Sequence, residues 1–414
     1  MLKVAIMSIG NELMNGSTVD TNSSWLAKQI SSFKSLTVTS KITVKDDSQS
    51  IKKSLHSLLE KKYKYIFITG GLGPTHDDIT KETLSSYFKS KIIIKESYLD
   101  EMKIFFRKKN IKDFSHLKSQ AEFLDISTPL PNKSGTALGM YIDKKKSKIF
   151  VLPGVPIEMK DMFENTILPL YIHPFYKQEI NSFTFLTTGI YESKLHNILN
   201  KDIENNKKSF ILSFLPNHTG VKIRIEKRND DISKKELIVF KNKISQKIDK
   251  YIYGYDDENI EKNVANLLIS KGITISVVES CTGGYLSKKL TNYPNSTKFY
   301  KGGIVAYNNQ IKVNILNVPN KLILSSGSVS EDVAIKMAKE IKNKFKTNIG
   351  ISITGISGPS GGSDEKPVGM VCISIVSDKS EIVKTFYLKT PNRAIHRAVS
   401  THTALNMLRL LLVK

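Results

Sequence analysis

A chain of 414 residues with 40% hydrophobic content can build two or three ordinary globular cores, and no apolar run in it approaches the roughly eighteen residues of a membrane span. The only cysteines, Cys281 and Cys372, exclude a disulfide scaffold and point to a reducing cytoplasm. The formal charge of +23 invites a nucleic-acid reading, but arginine occurs only at Arg107, Arg224, Arg228, Arg393, Arg397 and Arg409. The lysines are spread along the chain without a helical basic stripe or an aromatic stacking motif, so nucleic acid is not an expected partner.

The first strand is predicted over Val4 to Ile9; it runs straight into a glycine turn and reads as structure, not as a signal peptide. A helix follows from Trp25 to Phe33 with Asn22 or Ser23 as N-cap. Then come a strand over Leu36 to Val44, a helix over Ser48 to Glu60, a short apolar strand over Tyr65 to Thr69, and a helix over Ile79 to Phe88. This βαβα rhythm predicts a parallel sheet covered by helices on both faces, with ligands beyond the C-terminal strand ends. Residues 171 to 250 read differently: strands over Phe183 to Thr188 and Val221 to Ile225, with helices over Glu192 to Leu199 and Lys234 to Ile248, make a small α+β module. Tyr251 to Glu258, with its glycine and three acids, reads as a linker. A second βα pattern starts at Ile260 and ends in one amphipathic helix, Ala394 to Leu412.

Three glycine turns punctuate the first pattern. Gly10-Asn-Glu-Leu13 ends the first strand and is followed by Val19-Asp-Thr-Asn22. Thr69-Gly70-Gly71-Leu72-Gly73-Pro74-Thr75 joins a strand to a helix and runs into Asp77-Asp78. Leu152-Pro153-Gly154-Val155-Pro156 is the third, with Glu158 behind it. Successive backbone N–H groups in such turns wrap anions, and Asp77 and Asp78 could hold a divalent cation beside a pyrophosphate. The competing reading has Asp78 capping a helix and the glycines only turning the chain. No Walker A pattern and no full dinucleotide fingerprint occur.

The second pattern carries Glu279-Ser280-Cys281-Thr282-Gly283-Gly284 between the apolar run Ile273 to Val278 and a helix predicted from Tyr285. A strand, a glycine turn and a helix start put a hydroxyl, a thiol and free N–H groups at one corner, suited to a nucleophile, an anion or both. A second glycine loop, Thr354-Gly355-Ile-Ser-Gly-Pro-Ser-Gly-Gly362, follows another apolar strand and could face the first across one pocket. No zinc-hydrolase signature is present. Ser280 needs a base, and Lys312 could serve if burial left it a neutral amine. Cys281 is the rival nucleophile, and the bland alternative is that Ser280 and Thr282 only cap the helix. Ser360 formally fits a nucleophile-elbow pattern, but Ser363 to Pro367 behind it breaks helix.

Together these motifs resemble the CinA family, the competence/damage-inducible protein A family of bacteria, over essentially the whole chain. Those quoted are joined by Gly135-Thr-Ala-Leu-Gly139, Val329-Ser-Glu331 and Lys366-Pro-Val-Gly369, all in family order. The resemblance implies an α/β fold in three parts. Residues 1–170 would be a molybdopterin-binding-like (MogA/MoaB-like) domain, associated in this family with metal-dependent ADP-ribose pyrophosphatase activity. Residues 171–252 would be a KH-type module, and 253–414 a nicotinamide-nucleotide amidohydrolase domain. The last converts nicotinamide mononucleotide (NMN) to nicotinate mononucleotide and ammonia, and the resemblance calls for no cofactor there.

By the same resemblance Ser280 is the nucleophile, Lys312 its base, and Tyr307 and Thr354 their companions. Cys281, Thr282, Gly283, Gly284, Gly355 and Arg393 line the substrate. In the first domain Gly70, Gly71, Gly73, Thr75 and Gly154 bind ligand, with Asp77 and Asp78 on the metal. Arg393 lacks the Gly-Asp that precedes it in relatives, Asn308-Asn309 stands where Ser-Asn is usual, and Leu138 replaces a frequent proline. The expected assembly is a homodimer. Rival readings are a molybdopterin-like ligand binder and an accessory factor in DNA uptake or recombination.

Overall fold

The computed structural model describes residues 1–413 apart from 34, 109, 111–113, 115, 116, 145, 179, 230 and 391. It divides into two compact units, Met1–Asn181 and Ser182–Lys414. Among the described residues no helix is long and apolar enough to cross a membrane.

In the first unit, strands β1 (Leu2–Ile9), β2 (Leu36–Val44) and β3 (Tyr65–Thr69) alternate with helices α1 (Thr21–Ile30), α2 (Ser48–Glu60) and α3 (Thr80–Phe88). Three further strands, β4 (Thr128–Leu130), β5 (Gly139–Lys144) and β6 (Ser147–Leu152), complete a six-stranded sheet in the order β2-β1-β3-β6-β5-β4. The four strands from β2 to β6 are parallel, while β5 is antiparallel to both of its neighbours, β6 and β4, so the sheet is mixed and not purely parallel. Strand alternation sorts the core onto two faces. Val4 and Ile6 pack with Leu26, Ile30, Phe67 and Phe150 on one side, and Ala5 and Met7 pack with Ile51, Leu55, Ile66 and Ile68 on the other. The cap of α1 is Asp20, whose carboxylate accepts from the Ser23 amide, in place of Asn22 or Ser23. Helix α4 (Pro156–Met162) continues into Phe163–Ile172, which buries Phe163, Ile167 and Ile172 in this unit's core. The unit therefore extends beyond residue 170.

The second unit opens with an antiparallel sheet of β7 (Ser182–Thr187), β8 (Phe210–Asn217), β9 (Gly220–Lys227) and β10 (Ile252–Tyr255), ordered β8-β9-β7-β10. Helices α5 (Glu192–Asn206) and α6 (Lys234–Ile248) pack on it through Leu195, Leu199, Leu237, Phe240 and Ile244. The segment read as a linker thus contains an edge strand. Ile252 and Gly254 face inward in alternation, a pattern four residues long that the acids behind it obscure.

A five-stranded sheet follows. Its elements are α7 (Ile260–Lys271), β11 (Ile275–Glu279), α8 (Tyr285–Thr291), β12 (Tyr300–Val305), α9 (Asn309–Leu316), α10 (Glu331–Phe345), β13 (Ile349–Gly355), β14 (Met370–Ser377), β15 (Glu381–Tyr387) and α11 (Arg393–Leu412). The order is β12-β11-β13-β14-β15; the first three strands are parallel and the last two antiparallel to their neighbours. The chain leaves β11 for β12 on one side and returns to β13 on the other. The crevice beyond the C-terminal end of β11 is therefore the switch point where α/β sheets place ligands.

Candidate active site

Ser280 is the first residue after β11, and its amide donates to the Ile353 carbonyl at 2.9 Å, extending the ladder with β13 by one bond. The Gly283 amide closes back on the Ser280 carbonyl at 3.1 Å. Glu279, fully buried at the strand end, accepts from the amides of Leu286 and Ser287 and from the Ser287 hydroxyl at 2.7–2.9 Å. A carboxylate at a helix start satisfies donors that the helix itself leaves free. It ties α8 to β11 and fixes the turn between them. The amides of Cys281, Thr282 and Gly284 have no backbone acceptor among the described residues.

Lys312 comes from α9, whose start is capped by the Asn308 side chain accepting from the Gln310 amide. Its side chain is buried, and Nζ lies 3.3 Å from Ser280 Oγ, 3.4 Å from Asn309 Oδ1 and 3.5 Å from the Tyr307 carbonyl. None of these neighbours is a carboxylate. Burial pulls the Lys312 ammonium below the ordinary lysine range, because a charge costs more to hold where water is excluded. A buried hydroxyl beside a lysine biased toward its neutral form has the makings of a nucleophile next to a base.

Cys281 is the weaker candidate. Its thiol is pushed up to about 12, chiefly by burial, and stays protonated. Thr282 is buried with its hydroxyl unpaired among the described residues. Gly355, at the end of β13, lies so close that a Cβ there would sit 3.1 Å from Cys281 Sγ, so the two glycine loops do meet. Thr354 sits beside them, but its hydroxyl donates to the Ser328 carbonyl at 2.9 Å and makes no hydrogen bond to Ser280. Lys366 holds the same segment through the carbonyls of Ser326 and Val329. The Val329-Ser-Glu331 and Lys366-Pro-Val-Gly369 motifs are thereby joined in one brace.

Arg393, the first residue of α11, donates to the Gly358 carbonyl and, at 3.0 Å, to the exposed Tyr307 hydroxyl. Among the described residues, three of its five N–H donors remain beyond those two bonds. Residues outside the sequence motifs also shape the site. His396 is buried, with Nδ1 2.9 Å from Ser357 Oγ and Nε2 3.4 Å from the Gly369 carbonyl, and burial lowers its pKa. Arg397 binds the carbonyls of Thr282 and Gly283. Its spacing of four from Arg393 was the available signal, since that interval places both on one helix face.

In the first unit, Gly70, Gly71, Gly73, Thr75, Asp77 and Asp78 lie between β3 and α3. A Cβ on Gly154 would come 3.4 Å from the Gly70 Cα, so the turns after β3 and β6 adjoin. Asn22 braces the second of them by donating to the Gly154 carbonyl at 2.8 Å. Asp78 accepts from both the amide and the hydroxyl of Thr75 and closes the loop; the N-cap position of α3 belongs to Ile79. Asp46 is a further acid here: burial raises its pKa, and the charges of Glu12, Asp77 and Asp78 add to the effect. Among the described residues no group of three or more His, Cys, Asp or Glu is placed to hold a metal ion. Carboxylate oxygens such as those of Asp77 and Asp78 suit a hard cation that takes one or two protein ligands and completes its shell with water and substrate phosphate.

A parallel-rich first sheet with glycine turns at its strand ends, and a second sheet with a buried Ser–Lys pair at its switch point, define a two-part α/β protein. The family model described as "Probable molybdopterin binding domain" matches residues 5–173, and "CinA C-terminal domain" matches residues 257–412. A CinA-like protein of Dictyoglomus thermophilum is 35% identical over 410 residues, covering 99% of this chain and 98% of its own. One from Dictyoglomus turgidum is 34% identical over 409 residues, covering 99% and 98%. Among solved structures, the competence/damage inducible protein CihA from Agrobacterium tumefaciens is 29% identical, covers 38% of this chain and 98% of that one, and has a TM-score of 0.36. The chain belongs to the CinA family.

Proposed function

We propose that the C-terminal part hydrolyses the carboxamide of NMN, giving nicotinate mononucleotide and ammonia. The buried Ser280–Lys312 pair supports this reading above all else. Neutral Lys312 takes the Ser280 proton as Oγ attacks the carboxamide carbon, and a tetrahedral oxyanion forms. The free amides of the Ser280 turn are the donors at hand for that charge. Lys312 then returns its proton to the departing nitrogen, and ammonia leaves a seryl ester. Water, deprotonated by the same amine, cleaves the ester, frees the acid and restores Ser280. The unused donors of Arg393 suit the ribose phosphate, which a guanidinium can bind in two-point fashion. The test is ammonia release from NMN by the purified protein beside Ser280→Ala and Lys312→Ala. Equal activity in all three would remove the basis of the reading.

For the first unit we propose cleavage of the ADP-ribose pyrophosphate with a divalent cation near Asp77 and Asp78. The glycine turns that adjoin at Gly70 and Gly154, with Asp46 near enough to Asp77 and Asp78 to feel their charge, support it. A bound cation would neutralise charge on the pyrophosphate oxygens; the chain's own part is to hold the ligand between the turns. Undiminished hydrolysis in excess chelator, or in an Asp77→Ala/Asp78→Ala double variant, would count against it. A pterin copurifying without hydrolysis would favour ligand capture instead.

A further inference from the structure

Helix α11 reaches both loops of the Ser280 site. The Asn392 side chain fixes its start by accepting from the Ile395 amide at 2.9 Å. Arg393 and Arg397 then project from one face, one turn apart. Arg393 holds the Gly358 carbonyl on the loop after β13. Arg397 holds the other loop: Nε donates to the Thr282 carbonyl at 2.8 Å and Nη2 to the Gly283 carbonyl at 3.4 Å.

A peptide group is planar and trans, so fixing its carbonyl fixes its N–H in the opposite direction. Holding the Thr282 carbonyl sets the Gly283 N–H, which donates to Ser280 and closes the turn. Holding the Gly283 carbonyl sets the Gly284 N–H, which has no backbone acceptor among the described residues. Gly283 itself has φ +56°, and a Cβ there would meet Arg397 Nη2 at 3.1 Å. The position requires glycine for its backbone and for the guanidinium beside it.

We propose that Arg397 is a positioning residue for amide hydrolysis: it clamps the Ser280–Gly284 turn from behind and aims the Gly284 amide at the developing oxyanion. The proposal rests on the Ser280–Lys312 reading of the site. A fork with several donors in one plane can hold two adjacent carbonyls at once, which a lysine ammonium does less well. Relaxing the turn by about an ångström would slow the chemical step far more than it weakens substrate binding.

The test uses the full chain and two readouts. In Arg397→Ala, kcat for ammonia release from NMN should fall about 100-fold with KM little changed, since small misplacement costs that much. Added guanidinium ion should restore part of the loss, and Arg397→Lys should fall between. Amide hydrogen exchange at residues 281–284 should accelerate, with β11 and α11 as protected as in the wild type. Full kcat in Arg397→Ala, a rise in KM with kcat kept, or unchanged exchange across the turn would each overturn the clamp. If Arg397→Ala fails to fold, Arg397→Lys is read by the same criteria. A wild type silent on NMN would retire the amidase reading, and the exchange experiment would then decide the clamp by itself.

Discussion

Lys312 Nζ lies 3.3 Å from Ser280 Oγ, with both side chains buried and two neutral oxygen acceptors completing the lysine's surroundings. The relationship joins the end of β11 to the first turn of α9, across thirty-odd residues that contain a whole βα unit. Removing either member should abolish amide hydrolysis. Ser280→Ala and Lys312→Met are each expected to lower kcat/KM for NMN by at least about 10³-fold, because paired groups act as a unit. Lys312→Arg should be equally inactive, since a guanidinium stays charged and takes no proton. Ammonia release under steady-state conditions measures all three.

The pH dependence follows from the direction in which burial moves Lys312. Burial lowers its pKa, so the neutral amine appears at lower pH than for an ordinary lysine. Below that pKa the ammonium accepts no proton, and kcat/KM should climb about tenfold per pH unit before levelling off. The inflection is expected below the ordinary lysine value of about 10.4. A kcat/KM profile whose inflection fell at or above that value would rule out Lys312 as the base.

Cys281 adjoins Ser280 yet is predicted to be dispensable for chemistry. Its thiol, pushed up to about 12 by burial, is almost entirely protonated at neutral pH. Iodoacetamide should therefore modify it slowly in the native protein at pH 8, and Cys281→Ala should keep activity within about tenfold of wild type, a loss of no more than about 1.4 kcal/mol in the barrier. Rapid alkylation coupled to inactivation would reverse the assignment of Ser280.

Much of this arrangement was legible before the structure. The strand over Leu36–Val44 and the helices over Ser48–Glu60 and Lys234–Ile248 stand where periodicity places them, because each pairs a clear apolar pattern with a defined cap or turn. The corner after β11 was legible because its glycines sit between an apolar run and a helix. Lys312 was an option for Ser280's base on its chemistry, and the family resemblance singled it out, since no spacing rule links residues on different elements. Strand β10 was hidden by its brevity, and the antiparallel β4 and β5 by short runs that the βαβ rhythm overshadowed. Thr354 lies beside the site as its motif places it, while the direction of its hydroxyl, toward the Ser328 carbonyl, is set by the folded backbone. Arg397 and His396 act through main-chain carbonyls and a buried serine, contacts that only the folded backbone brings together.

Glu279 should matter for stability before it matters for catalysis. It is fully buried and accepts three hydrogen bonds from the start of α8. Glu279→Ala leaves those donors without partners in a dry site and is expected to cost about 2–4 kcal/mol. Glu279→Gln keeps one acceptor oxygen and should cost less. Urea unfolding of both variants measures the difference, and an unchanged midpoint for Glu279→Ala would show that the cap is not needed.

His402 predicts a loss of stability in mild acid. It lies on α11 with its ring 5.1 Å from that of Tyr253, and Nε2 is buried without a partner among the described residues. Burial is the main cause that takes its pKa from the ordinary histidine value of 6.5 down to about 4. A folded pKa below the unfolded value means that the unfolded chain binds the proton first. The stabilising contribution is therefore whole above about pH 6.5, declines as pH falls toward 4, and is gone below that. The full loss is on the order of 3 kcal/mol, because a tenfold change in proton affinity between the folded and unfolded chains is worth about 1.36 kcal/mol. Carboxylates protonate in acid as well, and burial also lowers the His396 pKa, so the informative quantity is the difference between wild type and His402→Gln, which cannot take up that proton. Unfolding midpoints at pH 7, 5.5 and 4 should show the wild type losing ground steadily to His402→Gln; parallel curves would mean that His402 is already protonated, or freely solvated, in the folded chain.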